Sequence, residues 1–198
     1  MTQIRRYERM GAALAAAFTA SLLAASAAPA ATITVGTVGD TVAADGVCSL
    51  REAISAANED TAGGGCVAGS GADRVVIPAG TYTLTRAGSA TENDNVTDDL
   101  DVYNAVTLDG AGAATTTITT NQTNRIVHVA FGLVTIEGVT ITGGRTPNGA
   151  NGADVVGGSI FQTVGGAGAH ASDGGGIFNH GTLRVANSRI VGNRTGRG

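Results

Sequence analysis

The chain contains no lysine and no tryptophan, and aromatic residues make up only 4% of its 198 positions. With so few rings, the core cannot be organised around a handful of large side chains. Glycine, alanine, threonine and valine abound instead. Such a composition must stack many small and β-branched groups, as repetitive β architectures do. The missing lysine also bears on partners. Nucleic acid and anionic membrane both call for clustered positive charge, and neither is expected here.

Residues 1–30 read as an export signal rather than part of the fold. Arg5, Arg6 and Arg9 form a basic start, residues 11–28 are small and apolar, and Ala28-Pro29-Ala30 offers the small-x-small pattern of a cleavage site after Ala30. The rival reading is a retained anchor. A spanning helix needs ~20 strongly apolar residues, whereas this stretch is mostly alanine with Leu14, Phe18, Leu22 and Leu23 as its large groups. Arg5-Arg6 is a poor twin-arginine match, so general export is expected. Removing the segment takes three of the twelve basic residues and one of the sixteen acidic ones. About 168 residues with a net charge of −6 remain, enough for one domain. No transmembrane helix is expected in that mature part.

In an exported chain the isolated pair Cys48 and Cys66 is most simply a disulfide, worth ~3 kcal/mol through restriction of the unfolded chain. A metal site at the cysteines is the alternative. It lacks a CxxC spacing, and His128, His170 and His180 are remote in sequence.

An internal repeat decides the fold class. GLVTIEGVTITGG at 132–144 aligns without gaps on GTLRVANSRIVGN at 181–193, matching Val134 to Leu183, Ile136 to Val185 and Ile141 to Ile190. A weaker copy runs from Ala105 to Gly110. Alternation of period two in short strands broken by Gly or Asn indicates coil-like parallel β stacking. The inward positions are Val106, Leu108, Val134, Ile136, Ile141, Leu183, Val185 and Ile190, with coils from about residue 100 onward. Helical crossovers of a doubly wound sheet are not evident, and a β-sandwich accounts less well for the repeat spacing. Residues 145–173 interrupt the copies as a Gly-rich loop or insert. Asn187 and Asn193 fall at bends, where side-chain amides can bond along stacked turns.

The region 31–99 differs in kind. Ile33 and Val35 begin a strand, and residues 49–58 predict a helix. Ser49 and Glu52 form a capping box, while Leu50, Ala53, Ile54 and Ala57 make one apolar stripe. Laid over the first coil, this helix would cover open strand edges, with a Cys48–Cys66 bridge pinning it to the next loop. Val75-Val76-Ile77 and Thr81-Tyr82-Thr83-Leu84 read as strands about a Pro78-Ala79-Gly80 turn.

Cys48-Ser49-Leu50-Arg51-Glu52-Ala53-Ile54, followed by Ala56-Ala57-Asn58, resembles the amino-terminal motif of bacterial CSLREA-domain proteins. Pro78 to Leu84 and Asp99 to Val102 are similar to that family's continuation. Gly174-Gly175-Gly176-Ile177-Phe178-Asn179 looks like the glycine-led coils also found in chlamydial polymorphic outer-membrane proteins. The resemblance implies an all-β chain, a right-handed parallel β-helix of the pectate-lyase-like kind with an N-terminal capping helix. It also implies a secreted or cell-surface location, extracellular or at the outer membrane, and carries no general catalytic assignment. The chain stops at Gly198 just after a coil, so continuation into further coils or cover by a partner is expected. An adhesin-like binding scaffold is the leading functional expectation, with cell-surface or extracellular polysaccharide or protein as ligand. A polysaccharide lyase or glycoside hydrolase of the β-helix type is the alternative.

Chemistry-bearing residues are sparse. The acidic run 92–101 has the oxygen ligands calcium takes but not the EF-hand spacing, and reads by default as a solvated loop. No cofactor, metal ligand or catalytic residue is assigned, with calcium as the one ion considered. Stacked coils would set outward Asp109 and Glu137 ~4.8 Å apart, with Arg184 on the neighbouring column, an arrangement that β-helix lyases use. An ordinary solvated face explains it as well. The histidines read as exposed or singly packed, and Ser49 is used as a cap, so a Ser-His-Asp arrangement is not supported. The sequons at Asn95, Asn121 and Asn193 matter only on a eukaryotic secretory route. Gly174-Gly175-Gly176 has no lysine to complete a phosphate loop.

Overall fold

The structure, a computed structural model, describes residues 29–88, 92–149 and 173–197. The export segment, apart from its last two residues, lies outside these, as do His170 and most of the expected 145–173 insert.

Twelve short strands and one helix make up the described residues. In chain order they are β1 (Thr32–Thr34), α1 (Leu50–Glu59), β2 (Asp73–Ile77), β3 (Gly80–Leu84), β4 (Leu100–Val102), β5 (Val106–Gly110) and β6 (Thr116–Thr120). β7 (Val127–Val129), β8 (Leu133–Glu137), β9 (Thr140–Thr142), β10 (Ile177–Asn179), β11 (Thr182–Ala186) and β12 (Arg189–Ile190) follow. All pairings between strands are parallel. The first sheet has the order β1-β2-β5-β8-β11, the second β12-β9-β6-β3 and the third β10-β7-β4. From β2 onward the chain visits first, second and third sheets in turn, and from β5 onward each strand pairs with the strand one circuit earlier. The described residues are all-β with a single short helix.

Register follows the apolar alternation. Ile33, Val75, Leu108, Ile136 and Val185 form one ladder in the first sheet, and Tyr82, Ile118, Ile141 and Ile190 form another in the second. Leu100 with Val127 and Val102 with Val129 supply the third wall. Ile33, Val75, Leu108, Ile136, Ile118 and Ile141 are wholly buried, each worth ~1.5–3 kcal/mol against exposure. A one-residue slip would turn every ladder outward, so burial fixes register.

Val106, Leu108, Val134, Ile136 and Ile141 are buried where the sequence places them inward. Leu183, Val185 and Ile190 pair as the repeat alignment requires, with Val134, Ile136 and Ile141. They are nonetheless not core residues: Leu183 is half-buried, and Val185 and Ile190 are 44% and 40% exposed. The reason is positional. β11 and β12 are edge strands, and among the described residues no further strand covers them.

Parallel pairing also begins well before residue 100. β1, β2 and β3 already belong to the first and second sheets. At the other end, Arg145 bridges Arg194 in parallel, and the Thr146 and Gly149 amides donate to Arg194 and Arg197 carbonyls. The first residues of the expected insert therefore continue the pairing. At the equivalent bends of the two copies, Gly138 and Asn187 both adopt positive φ, 66° and 48°, a conformation that asparagine tolerates better than other side chains. Asn193 donates to the Ile141 carbonyl (3.0 Å) and accepts from the Gly144 amide (2.9 Å), tying one turn to the turn beneath it.

The helix forms as its caps dictate. Ser49 Oγ accepts from the Glu52 amide and Glu52 Oε2 accepts from the Ser49 amide at 2.9 Å, completing the capping box. Leu50 and Ile54 are buried, and α1 packs on β1, β2 and β4. Cys48 and Cys66 form a disulfide, with Cα atoms 4.6 Å apart. Arg51 and Glu52 depart from a simple apolar-stripe picture, because both are buried as well.

Candidate functional site

The acidic run is a solvated loop only in part: Asn93, Asp94 and Val96 are exposed. Asn95, Asp98, Asp99 and Asp101 are all buried, and α1 reaches across to fix them. Arg51 donates to three consecutive carbonyls, those of Thr97 (2.9 Å), Asp98 (2.5 Å) and Asp99 (3.0 Å), and pairs with Asp40 at 2.5 Å. Asn95, held at φ 57°, bonds both backbone groups of Asp101, accepting from its amide (2.8 Å) and donating to its carbonyl (2.7 Å). Asn58, on the last turn of the helix, donates to the same carbonyl and accepts from the Tyr103 amide. Polar groups buried at this density must be hydrogen-bonded, and here the bonds locate β4.

The outward column of the third sheet lies next to this anchored turn. Asp101, His128 and Phe178 occupy one register position on β4, β7 and β10. Asp101 Oδ1 lies 2.9 Å from His128 Nδ1. The His128 ring stacks on Phe178 at 5.2 Å between centroids, and His180 meets both rings edge-on. Arg125 sits 4.7 Å above the Phe178 ring, while its Nε is 3.2 Å from Asp99 Oδ2. Asn93, Tyr103, His128, Ala130, Phe131 and His180 border a cleft of about 570 Å³. Phe131 is 69% exposed at its rim.

The charges of this cluster disturb one another. Burial, then the charges of Asp99 and Glu92, push the Asp101 carboxyl up to about 8, against the pull of Arg125 and Arg51. Asp99 is raised mainly by burial, with Arg125 opposing. Glu92 is raised to about 7, first by burial and then by its hydrogen bond with Asp94. His128 is lowered by burial, then by the positive charge of Arg125. Tyr103 rises to about 12, chiefly through burial and then through the charge of Asp101. At neutral pH, therefore, Asp101 holds a proton beside an imidazole that resists taking one. Such a pair can donate and accept hydrogen bonds, or exchange a proton with a bound molecule.

Several expectations about site residues take definite form. Asp109 and Glu137 are register partners on adjacent strands. Arg74 on β2 spans them, at 2.5 Å from Asp109 and 3.8 Å from Glu137. The Arg74 side chain is half exposed, so the group is a surface ion-pair cluster of the kind worth little. Arg184 stands in register with Thr135, one outward position away from Glu137. The expectation that the histidines are exposed or singly packed fails for His128, which is bonded to an acid and meets the ring of His180; His180 itself is exposed, and His170 lies outside the described residues. The sequon residue Asn95 is buried and fully used in fixing Asp101.

The elements that sequence reasoning passed over are Arg51, Asn58, Arg125 and the third-sheet column. A signal for the column was present. Leu100-Asp101-Val102 and Val127-His128-Val129 are each an apolar-x-apolar triplet, and aligning them would have set Asp101 beside His128. Comparison with protein-family models, curated proteins and solved structures finds no match to the chain.

Proposed function

We propose that the chain is a right-handed parallel β-helix of the CSLREA-domain kind, exported to the cell surface or beyond, and that it serves as a binding scaffold. Three parallel sheets visited in rotation support the β-helix reading. Right-handedness is the near-universal sense of parallel crossovers. The disulfide suits an oxidising compartment, and among the described residues no helix is long and apolar enough to cross a membrane.

The observation that carries the binding reading is the third-sheet cleft. It combines an apolar and aromatic border, Tyr103, Ala130 and Phe131, with polar groups at His128, His180 and Asn93. Concave sites with rings beside a few fixed polar groups bind small or repeating ligands, and sugar rings of an extracellular polysaccharide fit that chemistry. The test is affinity electrophoresis through gels containing pectin, alginate or related polymers. Retardation by at least one polymer is expected, weakened tenfold or more by Phe131→Ala, a change of about 1.4 kcal/mol. Migration unaffected by every polymer would sink the polysaccharide ligand.

One observation favours a second reading, a polysaccharide-active enzyme of the β-helix type. Asp101, protonated up to about 8, lies 2.9 Å from His128, which borders the cleft and could relay a proton to it. Unsaturated products or new reducing ends that vanish in Asp101→Asn would decide for catalysis. Their absence alongside retardation decides for the scaffold.

A further inference from the structure

Behind His128, which borders the cleft, lie buried groups whose purpose sugar binding does not require. Asp99, Asp101 and His128 each offer one ligand atom, and these atoms all lie within 4.8 Å of one another. Two of the three residues are buried, the Asp101 side chain to 1% exposure. A buried carboxylate normally has its oxygens satisfied. Asp101 does not: Oδ1 meets His128, while Oδ2 has no hydrogen-bond partner. His128 Nε2 is likewise buried without a partner.

We infer that Asp99, Asp101 and His128 form a binding site for a divalent transition-metal ion, such as Zn²⁺, beneath the cleft that His128 borders. The donor set selects the class of ion. Calcium and magnesium take oxygen ligands almost exclusively, whereas one imidazole nitrogen with two carboxylates suits zinc or its first-row neighbours. Two ligands of one ion held at ~2.1 Å stand no more than ~4.2 Å apart. A spread of up to 4.8 Å therefore needs side-chain movements of only about half an ångström. The supporting contacts that hold such ligands are in place. Asn95 fixes the Asp101 backbone on both sides, and Asn124 Nδ2 donates to Asp99 Oδ1 at 3.3 Å. Three protein ligands also leave coordination positions open toward a bound molecule.

Arg125 and Arg51 both oppose a cation here, and Arg125 stands directly against a carboxylate oxygen. Its Nε is 3.2 Å from Asp99 Oδ2, yet it makes no aligned hydrogen bond there and rests on the Phe178 ring. It acts as a movable counter-charge for the carboxylates, and removing that charge should tighten metal binding.

The site does not depend on what the cleft binds, so it is tested apart from any sugar. The protein, produced without a histidine tag and stripped by chelator, is titrated with Zn²⁺ and separately with Ca²⁺ in a calorimeter. One equivalent of Zn²⁺ should bind, with Ca²⁺ at least tenfold weaker. His128→Gln and Asp101→Asn should each weaken Zn²⁺ tenfold or more. Arg125→Gln should strengthen it several-fold, and Asp45→Asn, an exposed acid elsewhere, should leave it unchanged. Because Asp101→Asn risks misfolding, nitrogen NMR of the wild-type imidazoles provides a second reading, and the His128 resonances should shift on adding one equivalent of Zn²⁺. No Zn²⁺ binding, binding unaltered by His128→Gln, a preference for Ca²⁺, or an unshifted His128 would each overturn the site.

Discussion

Replacing Arg51 by methionine tests the joint between α1 and the acidic turn. The substitution keeps a stem of similar length and removes the guanidinium. Arg51 is 1% exposed, so no water can take over its bonds without entering the core. Three carbonyls, of Thr97, Asp98 and Asp99, lose a donor, and Asp40 loses its buried cation. Asp40 keeps the Thr85 and Arg86 amides at 2.6 and 3.0 Å, which limits its share of the loss. Breaking a buried pair from one side costs ~3–5 kcal/mol, and an orphaned buried carbonyl ~1–3 kcal/mol. Because the turn can relax, about 4 kcal/mol is expected. Asp40→Asn, which retains an acceptor, should cost only ~1–2 kcal/mol. Urea unfolding of the oxidised protein, followed by far-ultraviolet circular dichroism, measures both. The double variant should lose less than the sum, with a coupling of at least ~1 kcal/mol. A loss under 1 kcal/mol for Arg51→Met, or strict additivity, would refute the claim that this guanidinium holds the turn.

The remaining predictions concern pH, the cap and the disulfide. The Asp101 carboxyl, ordinarily near 3.8, is raised to about 8, so its contribution is fully present below pH 3.8 and is lost as pH rises through 8. Glu92, raised from 4.5 to about 7, acts in the same direction, while His128, lowered from 6.5, opposes only below pH 6.5. Between pH 6.5 and 8 the loss from Asp101 is unopposed, ~1.4 kcal/mol per unit or about 2 kcal/mol. The urea midpoint should fall over that range and flatten in Asp101→Asn, and a flat wild-type profile would contradict it. Leu50→Asp puts a charge where exposure is 3%. It should destabilise by ~3–5 kcal/mol and yield self-associating material on size-exclusion chromatography. The exported protein should show no free thiol by mass spectrometry, and reducing Cys48–Cys66, separated by 18 residues, should cost ~3 kcal/mol.

The ladders of the first and second sheets were legible because burial imposes them. Val134 and Leu183, Ile136 and Val185, and Ile141 and Ile190 align by sequence and pair in register, since a slip would expose each apolar set. The helix was equally open to reading, because a capping box and an apolar stripe are local signals. Burial at the edge was not legible. Whether Val185 sits in a core depends on a strand stacked beyond it, and its own alternation carries no information about that neighbour. Arg51 failed for a related reason. It looks like an ordinary polar residue between Leu50 and Ala53 until residues 97–99, far along the chain, are folded over it.

The same contrast separates what the Cys48–Ala53 segment encodes from what the cleft encodes. Each residue of that segment has a structural task. Cys48 is bridged, Ser49 caps, Leu50 and Ala53 fill the core, Arg51 holds the acidic turn, and Glu52 closes the cap while accepting from the Ala43 amide at 2.7 Å. None of the six borders the cleft. A conspicuous motif can therefore specify how the first strands are covered and say nothing about a ligand. The groups able to do chemistry, Asp101 and His128, come from three-residue strands where one outward position gives no periodic signal. They become a pair only when two circuits of the chain are stacked. Arg51 and Asn58 connect the two levels. They carry the helix's position into β4, so a change in the cap should alter the geometry of Asp101 without touching the cleft.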